Sequence, residues 1–277
     1  MKIVALMVYY KGNIPEICSN LKAYIHNIGA LVIWLNSPLE EKDKHEIIAA
    51  FKPYHSIILF RGDGTNQGLS KVYNEVAREF ESQYDYLLTM DQDSWWYNFG
   101  DYIDFIEQIQ EDDIIAYGPD VITDKDVIGD EKCTGIEVDE IINSGALVKL
   151  SLLSAIGYYN EELFVDAIDE ELCLRAQANK LRIIKVRGSY LIQQYGHAET
   201  HRFFNRTVSI TGHKPERKYQ IARNHVWLIK NYHLTRERRK SYIKDYIIRP
   251  TVETILYEKN KLRKVTSIIK GVIDGLR

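Results

Sequence analysis

Between residues 2 and 90 the sequence switches repeatedly between uninterrupted apolar runs and helical stripes, which restricts the chain to a sheet of parallel strands joined by helices. The runs are Lys2 to Tyr9 (KIVALMVY), Ala30 to Leu35 (ALVIWL), Ser56 to Phe60 (SIILF) and Tyr86 to Met90 (YLLTM). A strand with one face in water alternates polar and apolar residues. These runs do not, so both of their faces should be covered. Between the first two, Asn13 can cap a helix with Pro15 in its first turn and Glu16 three residues on. Ile14, Ile17, Leu21, Ile25 and Ile28 keep its period, and Gly29 ends it. A charged helix over 40–51 follows, and Leu69, Val72, Tyr73, Val76 and Phe80 stripe another. Strand-helix-strand units of this kind are right-handed.

Beyond Met90 the alternation loosens. Asp101 to Gln110 and Glu170 to Lys180 read as helices, Ile114 to Tyr117, Ala146 to Leu150 and Arg182 to Val186 as strands, and Asp120 to Glu140 as a polar connection. From Lys218 onward the pattern is helical, with Ile221, His225, Leu228 and Ile229 in period. The expected organisation is one α/β domain over 1–213, a Rossmann-like, mostly parallel sheet with helices on both faces, followed by a helical extension over 214–277.

Charge separates the same two stretches. Residues 214–277 hold 17 Lys and Arg against 6 Asp and Glu, a balance of +11, while 1–213 carry −14. A basic stretch suits a solvated helix face, an anionic membrane surface or nucleic acid, in that order of expectation. With 45% apolar and 27% charged residues the composition is that of a folded globular protein. Cys18, Cys133 and Cys173 are odd in number and far apart, which excludes a disulfide framework and a CxxC metal site and fits a reducing cytoplasmic compartment. The opening residues form an apolar run too short for a membrane span, without the small-residue site of a secretory signal.

Asp91-Gln92-Asp93-Ser94 directly follows the fourth strand. Ligands of open parallel sheets bind beyond the carboxyl ends of the strands, and residues two apart in an extended segment point the same way. Such carboxylates suit Mg²⁺ or Mn²⁺ bridging to a diphosphate. A solvated acidic turn is the bland alternative. The run Asp166-Ala-Ile-Asp169-Glu170-Glu171 concentrates negative charge where a helix begins, and Asp169 could accept a proton there as a general base. Equally, Asp169 and Glu170 could only cap the helix, with Glu171 and Arg175 forming a surface pair. Asn143-Ser144-Gly145 precedes a strand and is either a ligand approach or a plain turn. Thr65 to Ser70 opens the helix carrying Lys71, and is either an anion site or an N-cap. His197 and His201 could face a metal, or be solvated or packed. Trp95 and Trp96 could stack on a sugar or fill core.

Taken in order, Asn66-x-Gly68-Leu-Ser, Leu88-Thr-Met-Asp91-Gln-Asp93-Ser94, Asn143-Ser-Gly145, Leu163-Phe-Val-Asp166-Ala-Ile-Asp169-Glu-Glu171-Leu-Cys-Leu-Arg175 and Arg217-Lys-Tyr219-Gln-Ile-Ala-Arg223-Asn224 resemble the family 2 glycosyltransferases. The likeness is greatest to the rhamnosyltransferase-like branch that builds bacterial surface polysaccharide, and it spans residues 1 to about 235. It implies a GT-A fold, a nucleotide-diphosphate sugar donor such as dTDP-rhamnose or a UDP-hexose, a divalent metal (Mg²⁺ or Mn²⁺) and inversion by single displacement. The acceptor would be a glycan or a lipid-linked sugar. Carried over by position, Asp91 would meet the donor ribose, Asp93 the metal, and Asp169 would be the base. Asn143, Ser144 and Gly145 would line the sugar pocket. Tyr9, Asn36, Asn66, Gly68 and Lys71 complete the expected donor-binding set, and Trp95, Trp96 and Asp166 the acceptor set.

Two positions depart from the pattern. Gln193 stands where the branch carries a histidine three residues before a glycine, here Gly196, leaving His197 and His201 as substitutes for a third metal ligand. Ile168 stands before Asp169 where many relatives have glutamate. The basic extension is expected to touch an anionic membrane peripherally, at its cytoplasmic face, and no nucleic-acid partner is expected. A sugar nucleotidyltransferase is the rival enzyme, but it would carry a glycine-rich basic loop after the first strand, and Tyr9-Tyr10-Lys11-Gly12-Asn13 has one glycine. A sugar-binding module with a decayed site is the non-enzyme rival, which the intact Asp91, Asp93 and Asp169 oppose.

Overall fold

The computed structural model describes residues 1–277 except 124, 125, 127, 130, 194–198, 204, 205 and 211, with the backbone course alone for 199–203 and 206–210. The chain forms two compact units. The first comprises Met1–Glu162 and Ile168–Gln194, the second Leu163–Ala167 and Tyr195–Arg277.

The first unit begins with the alternation seen in the sequence: β1 (Ile3–Tyr9), α1 (Ile14–Leu21), β2 (Ala30–Leu35), α2 (Glu41–Ala50), β3 (Ile58–Arg61), α3 (Leu69–Phe80) and β4 (Tyr86–Asp91). The Asn13 side chain accepts the Glu16 backbone N–H at 3.1 Å, and β2 is buried at every residue. There follow β5 (Ser94–Trp96), α4 (Phe99–Gln108), β6 (Ile114–Ile122), β7 (Thr134–Glu137), β8 (Ala146–Lys149), α5 (Leu150–Ala155), α6 (Ile168–Ala178) and β9 (Arg182–Gln193).

The strands form one sheet in the order β3-β2-β1-β4-β8-β6-β9-β5, with β7 also on β9. The wing from β3 to β4 is parallel throughout. The other wing is mixed, because β8 runs antiparallel to both β4 and β6, and β5 and β7 antiparallel to β9. Strand order reverses at β1, which lies between β2 and β4, and that reversal opens a crevice at the carboxyl ends of β1 and β4. Tyr9 and Asp91 stand at those two ends.

Strands β5 and β7 fall in stretches that the sequence presents as polar or aromatic connection, and β9 runs seven residues past Val186. Their stability comes from pairing on β9, which sequence periodicity does not register.

The second unit holds the hairpin β10 (Glu199–Phe203) and β11 (Arg206–Ile210), then α7 (Pro215–Asn231), α8 (Arg236–Ile243), a π-helical turn over Lys244–Ile248, α9 (Arg249–Tyr257) and α10 (Lys261–Leu276). Its Leu163–Ala167 segment carries two consecutive left-handed residues, Asp166 (φ 62°) and Ala167 (φ 65°). Neither is glycine, so each costs about 1 kcal/mol or more. Residues of α7 hold that backbone. Asn224, fully buried, donates to the carbonyls of Val165 (2.8 Å) and Asp166 (3.0 Å), and Arg217 grips the Asp166 carboxylate (2.9 Å). The Arg217…Asn224 motif thus fixes the backbone of Val165 and Asp166 within this unit.

Candidate active site

The end of β4 is tied to its surroundings by several short links. Gln92 bridges to the end of β1, accepting the Tyr10 N–H at 2.9 Å and donating to the Tyr10 carbonyl at 3.0 Å. Asn20 of α1 donates to the Gln92 carbonyl at 2.9 Å. The Asp91 backbone N–H donates to Ser144 Oγ at 3.3 Å, and two residues earlier Thr89 Oγ donates to the Asn143 carbonyl at 2.5 Å. Gly145 N–H returns to the Thr89 carbonyl at 2.8 Å. Asn143-Ser144-Gly145 is therefore strapped alongside the Asp91 end of β4. Gly145 needs its glycine for packing: φ is +79°, and a Cβ would stand 3.0 to 3.1 Å from Pro119, Leu191 and Trp96.

The Asp91 carboxylate accepts from Gln193 Nε2 at 3.1 Å, across the β5–β9 pairing that sets Ser94 opposite Gln193. Gln193, notable in the sequence only as a departure, is thus a direct partner of the Asp91 carboxylate. Asp93 is exposed, and desolvation by the surrounding protein raises its carboxyl above the usual value.

Asp169 lies in the first turn of α6 and lines, together with Asn143 and Cys173, a small cavity between that helix and strands β6 and β8. Burial first, then the charge and hydrogen bond of the adjoining Glu170, raise its carboxyl well above the ordinary range. Tyr73 of α3 is buried, and that burial first, then the charges of Asp91, Tyr159 and Asp169, raise its phenol well above its usual value. The Tyr73 and Tyr159 rings meet edge to face at 5.0 Å. Asn143, in the segment strapped to the Asp91 end of β4, lines the same small cavity as Asp169.

The Glu171–Arg175 pair, open in sequence to reading as a surface contact, is internal. Its side chains are 3% and 18% exposed, and Arg175 grips both carboxylate oxygens at 2.9 and 3.0 Å. The same guanidinium donates to the carbonyls of Ile156 (2.6 Å) and Tyr158, strapping the turn that carries Tyr159.

On the β1–β3 side, Tyr9 is buried with its hydroxyl 3.5 Å from the Gly12 carbonyl. Asn36 is buried and accepts the Gln67 N–H at 3.2 Å while donating to the Gly68 carbonyl at 3.4 Å. Asn66 closes its own turn on the Gly68 N–H at 3.1 Å, and Gly68 takes φ +80° at the start of α3. Lys71 is exposed in the first turn of α3. Asn36, Asn66 and Gly68, with Lys71 at the start of α3, follow β2 and β3, with Asn36 as the internal brace of these loops.

The two tryptophans part company. Trp95 is half-buried, whereas Trp96 is 3% exposed, packed on Phe99 and Tyr102, with its indole N–H on the Met90 sulfur at 3.2 Å. Trp96 is core, which corrects the expectation that its ring could face a sugar. Alternation along β5 turns the two rings to opposite faces. Asp166 is held by Arg217 in the second unit. His197 lies outside the described residues, and for His201 only the backbone, in β10, is described. Among the described residues no group of three or more His, Cys, Asp or Glu side chains forms a metal cage.

No family model matches the chain. Over 99% of its length it is 24% identical to the dTDP-rhamnosyl transferase RfbF of Shigella flexneri, of which it covers 95%. Its fold is similar to the mannosyltransferase PcManGT of Pyrobaculum calidifontis in complex with GDP-Man and Mn²⁺, with a TM-score of 0.60 at 10% identity over 99% of this chain and 75% of that one. It is also similar to GalNAc-T7 with UDP, GalNAc and Mn²⁺, with a TM-score of 0.57 at 10% identity over 88% of this chain. The chain spans 54% of the GalNAc-T7 structure. At such identity the two structures bear on the fold, which is that of the GT-A glycosyltransferases.

Proposed function

We propose that this GT-A chain is a divalent-metal-assisted, inverting glycosyltransferase moving a sugar from a nucleotide-diphosphate donor, dTDP-rhamnose or a UDP-hexose, to a glycan or lipid-linked acceptor. A glycosyltransferase role is supported by the rhamnosyl transferase relative and by the nucleotide-sugar-bound structures that share the fold. The observation that supports it is the strapping of Asn143-Ser144 to the Asp91 end of β4, with Asn143 and Asp169 lining one small cavity. The nucleotidyltransferase alternative is not favoured.

In this reading Asp91, with Tyr9, Asn36, Asn66, Gly68 and Lys71, cradles the nucleotide, and Asn143, Ser144 and Gly145 line the sugar pocket. Asp93 is the protein ligand for Mg²⁺ or Mn²⁺. The donor set fits such an ion, since hard cations bound with nucleotides use one or two carboxylates and fill their remaining positions with phosphate and water. When bound, the ion offsets the negative charge that grows on the departing diphosphate. Gln193 holds the Asp91 carboxylate in orientation through its amide. Asp169 takes the proton of the attacking acceptor hydroxyl, and its raised carboxyl makes it a stronger base than an ordinary aspartate. Trp95 and Asp166 are assigned to the acceptor. Residues 1–213 would be the catalytic domain and the basic residues 214–277 an extension that meets the membrane peripherally at its cytoplasmic face. Among the described residues no helix is long and apolar enough to cross a membrane.

The test is a thermal-shift screen of dTDP-rhamnose, UDP-glucose, UDP-galactose and GDP-mannose with and without Mn²⁺, since a ligand that binds only the folded state raises its apparent stability. A metal-dependent shift with one donor, lost in Asp93→Ala, is expected. No shift with any donor would refute the proposal.

A further inference from the structure

Helix α10 is fixed by one face and leaves the opposite face bare. Gly271 and Gly275 lie so close to α7 that an added Cβ would stand 2.5 Å from the carbonyl oxygens of Tyr219 and Arg223. On the same side, buried Lys264 joins Glu258 (2.5 Å), which also binds Lys218 of α7 (2.8 Å). These contacts fix the rotation of the helix about its axis. On its far side Leu262, Ile269, Ile273 and Leu276 are 86%, 52%, 47% and 62% exposed. At 3.6 residues per turn the four fall within an arc of about 60°. Arg263, Lys270 and Arg277, spaced by sevens, run along one border of that arc. The helix has a single acid, Asp274, which lies beyond that row and binds Tyr219 and Arg277. The preceding helix repeats the feature on a smaller scale, with Val252, Ile255 and Leu256 exposed.

We infer that this face of α10 docks the protein onto an anionic lipid bilayer, the four apolar side chains entering the acyl boundary while Arg263, Lys270 and Arg277 meet the headgroups. The inference deepens the peripheral membrane contact proposed above and rests on that reading. Charge selects the lipid surface over a second copy of the chain. In an antiparallel helix pair like borders meet, which would set the cationic row against its own copy, with only the exposed pairings of Arg263 to Glu216 (3.0 Å) and of Arg277 to Asp274 (3.3 Å) to offset it. The balance of +11 over 214–277 acts in the same direction. Length excludes a span: α10 has 16 residues, and crossing takes about 20, so the helix lies in the plane of the interface.

The test is co-sedimentation of the full chain with vesicles of phosphatidylcholine, alone or mixed with phosphatidylglycerol. Binding is expected to the mixed vesicles only. The pair Ile269→Ser/Ile273→Ser should weaken it about tenfold or more. The pair Arg263→Glu/Lys270→Glu should weaken it about as much, since each basic residue near an anionic surface is worth about fivefold. The substituted side chains are exposed, so the melting temperature should not move in either variant. Failure of the parent to bind mixed vesicles, or undiminished binding by the serine pair, overturns the inference. So does a parent dimer that the serine pair dissociates while vesicle binding is absent, which would make the face a self-association surface. Thermal shifts by UDP or dTDP with Mn²⁺, measured on the same samples, read the donor site separately. A retained nucleotide shift without vesicle binding sinks the docking face alone, and vesicle binding without any nucleotide shift sinks the transferase reading alone.

Discussion

Replacing Arg175 by leucine should destabilise the first unit far more than an ordinary helix-surface pair would suggest. Its partner Glu171 is 3% exposed, and the guanidinium binds both carboxylate oxygens together with the carbonyls of Ile156 and Tyr158. Removing it breaks a buried ion pair, which costs about 3–5 kcal/mol, against about 0–1 kcal/mol for an exposed pair. That loss is a large share of a total folding stability of about 5–15 kcal/mol. Urea unfolding at neutral pH, followed by tryptophan fluorescence, is suited to the measurement because Trp34 and Trp96 are buried in this unit. The double variant Glu171→Leu/Arg175→Leu should recover most of the loss. It should not recover all of it, since two carbonyls remain without their donor. Gly157 (φ 94°) and Tyr158 (φ 63°) form the strapped turn, and Tyr159 beyond them packs on Tyr73 near Asp169. Transfer should therefore fall in the single variant on the order of tenfold even at temperatures where it is folded. A stability loss below about 1 kcal/mol would refute the reasoning, because it would mean that water screens the pair as at a surface.

Asp169→Asn should lower transfer on the order of 10²- to 10⁴-fold and yet raise the melting temperature at neutral pH. The folded carboxyl titrates above its unfolded value near 3.8, so its stabilising contribution is complete below that value and is lost as pH rises through the raised folded one. The stability advantage of asparagine should vanish towards pH 4, and a pH-independent difference would contradict the burial argument. Gln92→Ala removes both links to Tyr10, at about 0.5–1.5 kcal/mol each, and should raise the Michaelis constant for the donor with little change in kcat. An unchanged Michaelis constant would show the bridge to be incidental. Gly275→Ala should cost about 1–3 kcal/mol by calorimetry, because its Cβ would meet the Arg223 carbonyl at 2.5 Å, despite the better helix propensity of alanine. A stabilised variant would mean that α7 and α10 part easily.

The parallel wing was legible because its physics is local. Four apolar runs with helical stripes between them imply covered parallel strands, and the capping residues Asn13 and Pro15 act where the sequence sets them. The carboxylates were legible for a related reason: a D-x-D at the end of a strand needs only the sheet rule to be aimed at a crevice. Partners were not. Gln193 meets Asp91 across 102 residues, and nothing in its neighbourhood distinguishes its amide from that of any exposed glutamine. Gln92 sits between two aspartates and reads as filler until β1 and β4 are seen to adjoin. Trp95 and Trp96 are equivalent to composition, and only the pairing of β5 on β9 decides which one is core.

The most informative failure of local reading lies just before α6. Aspartate tolerates the left-handed region better than most residues, but Ala167 has no property that calls for it, and glycine would occupy it more cheaply at both positions. Backbone held against its preference persists only where its surroundings over-determine it. Here Asn224 and Arg217 supply that constraint from 51 to 59 residues away, with two hydrogen bonds to carbonyls and an ion pair on the side chain. The strained step is followed directly by the helix whose first turn carries Asp169. Two stretches that look independent in the sequence, Val165-Asp166 and Arg217…Asn224, are therefore halves of one device within the second unit that holds this backbone bend. A flexible glycine at either position would relieve the strain and with it the reason for that bend to be unique.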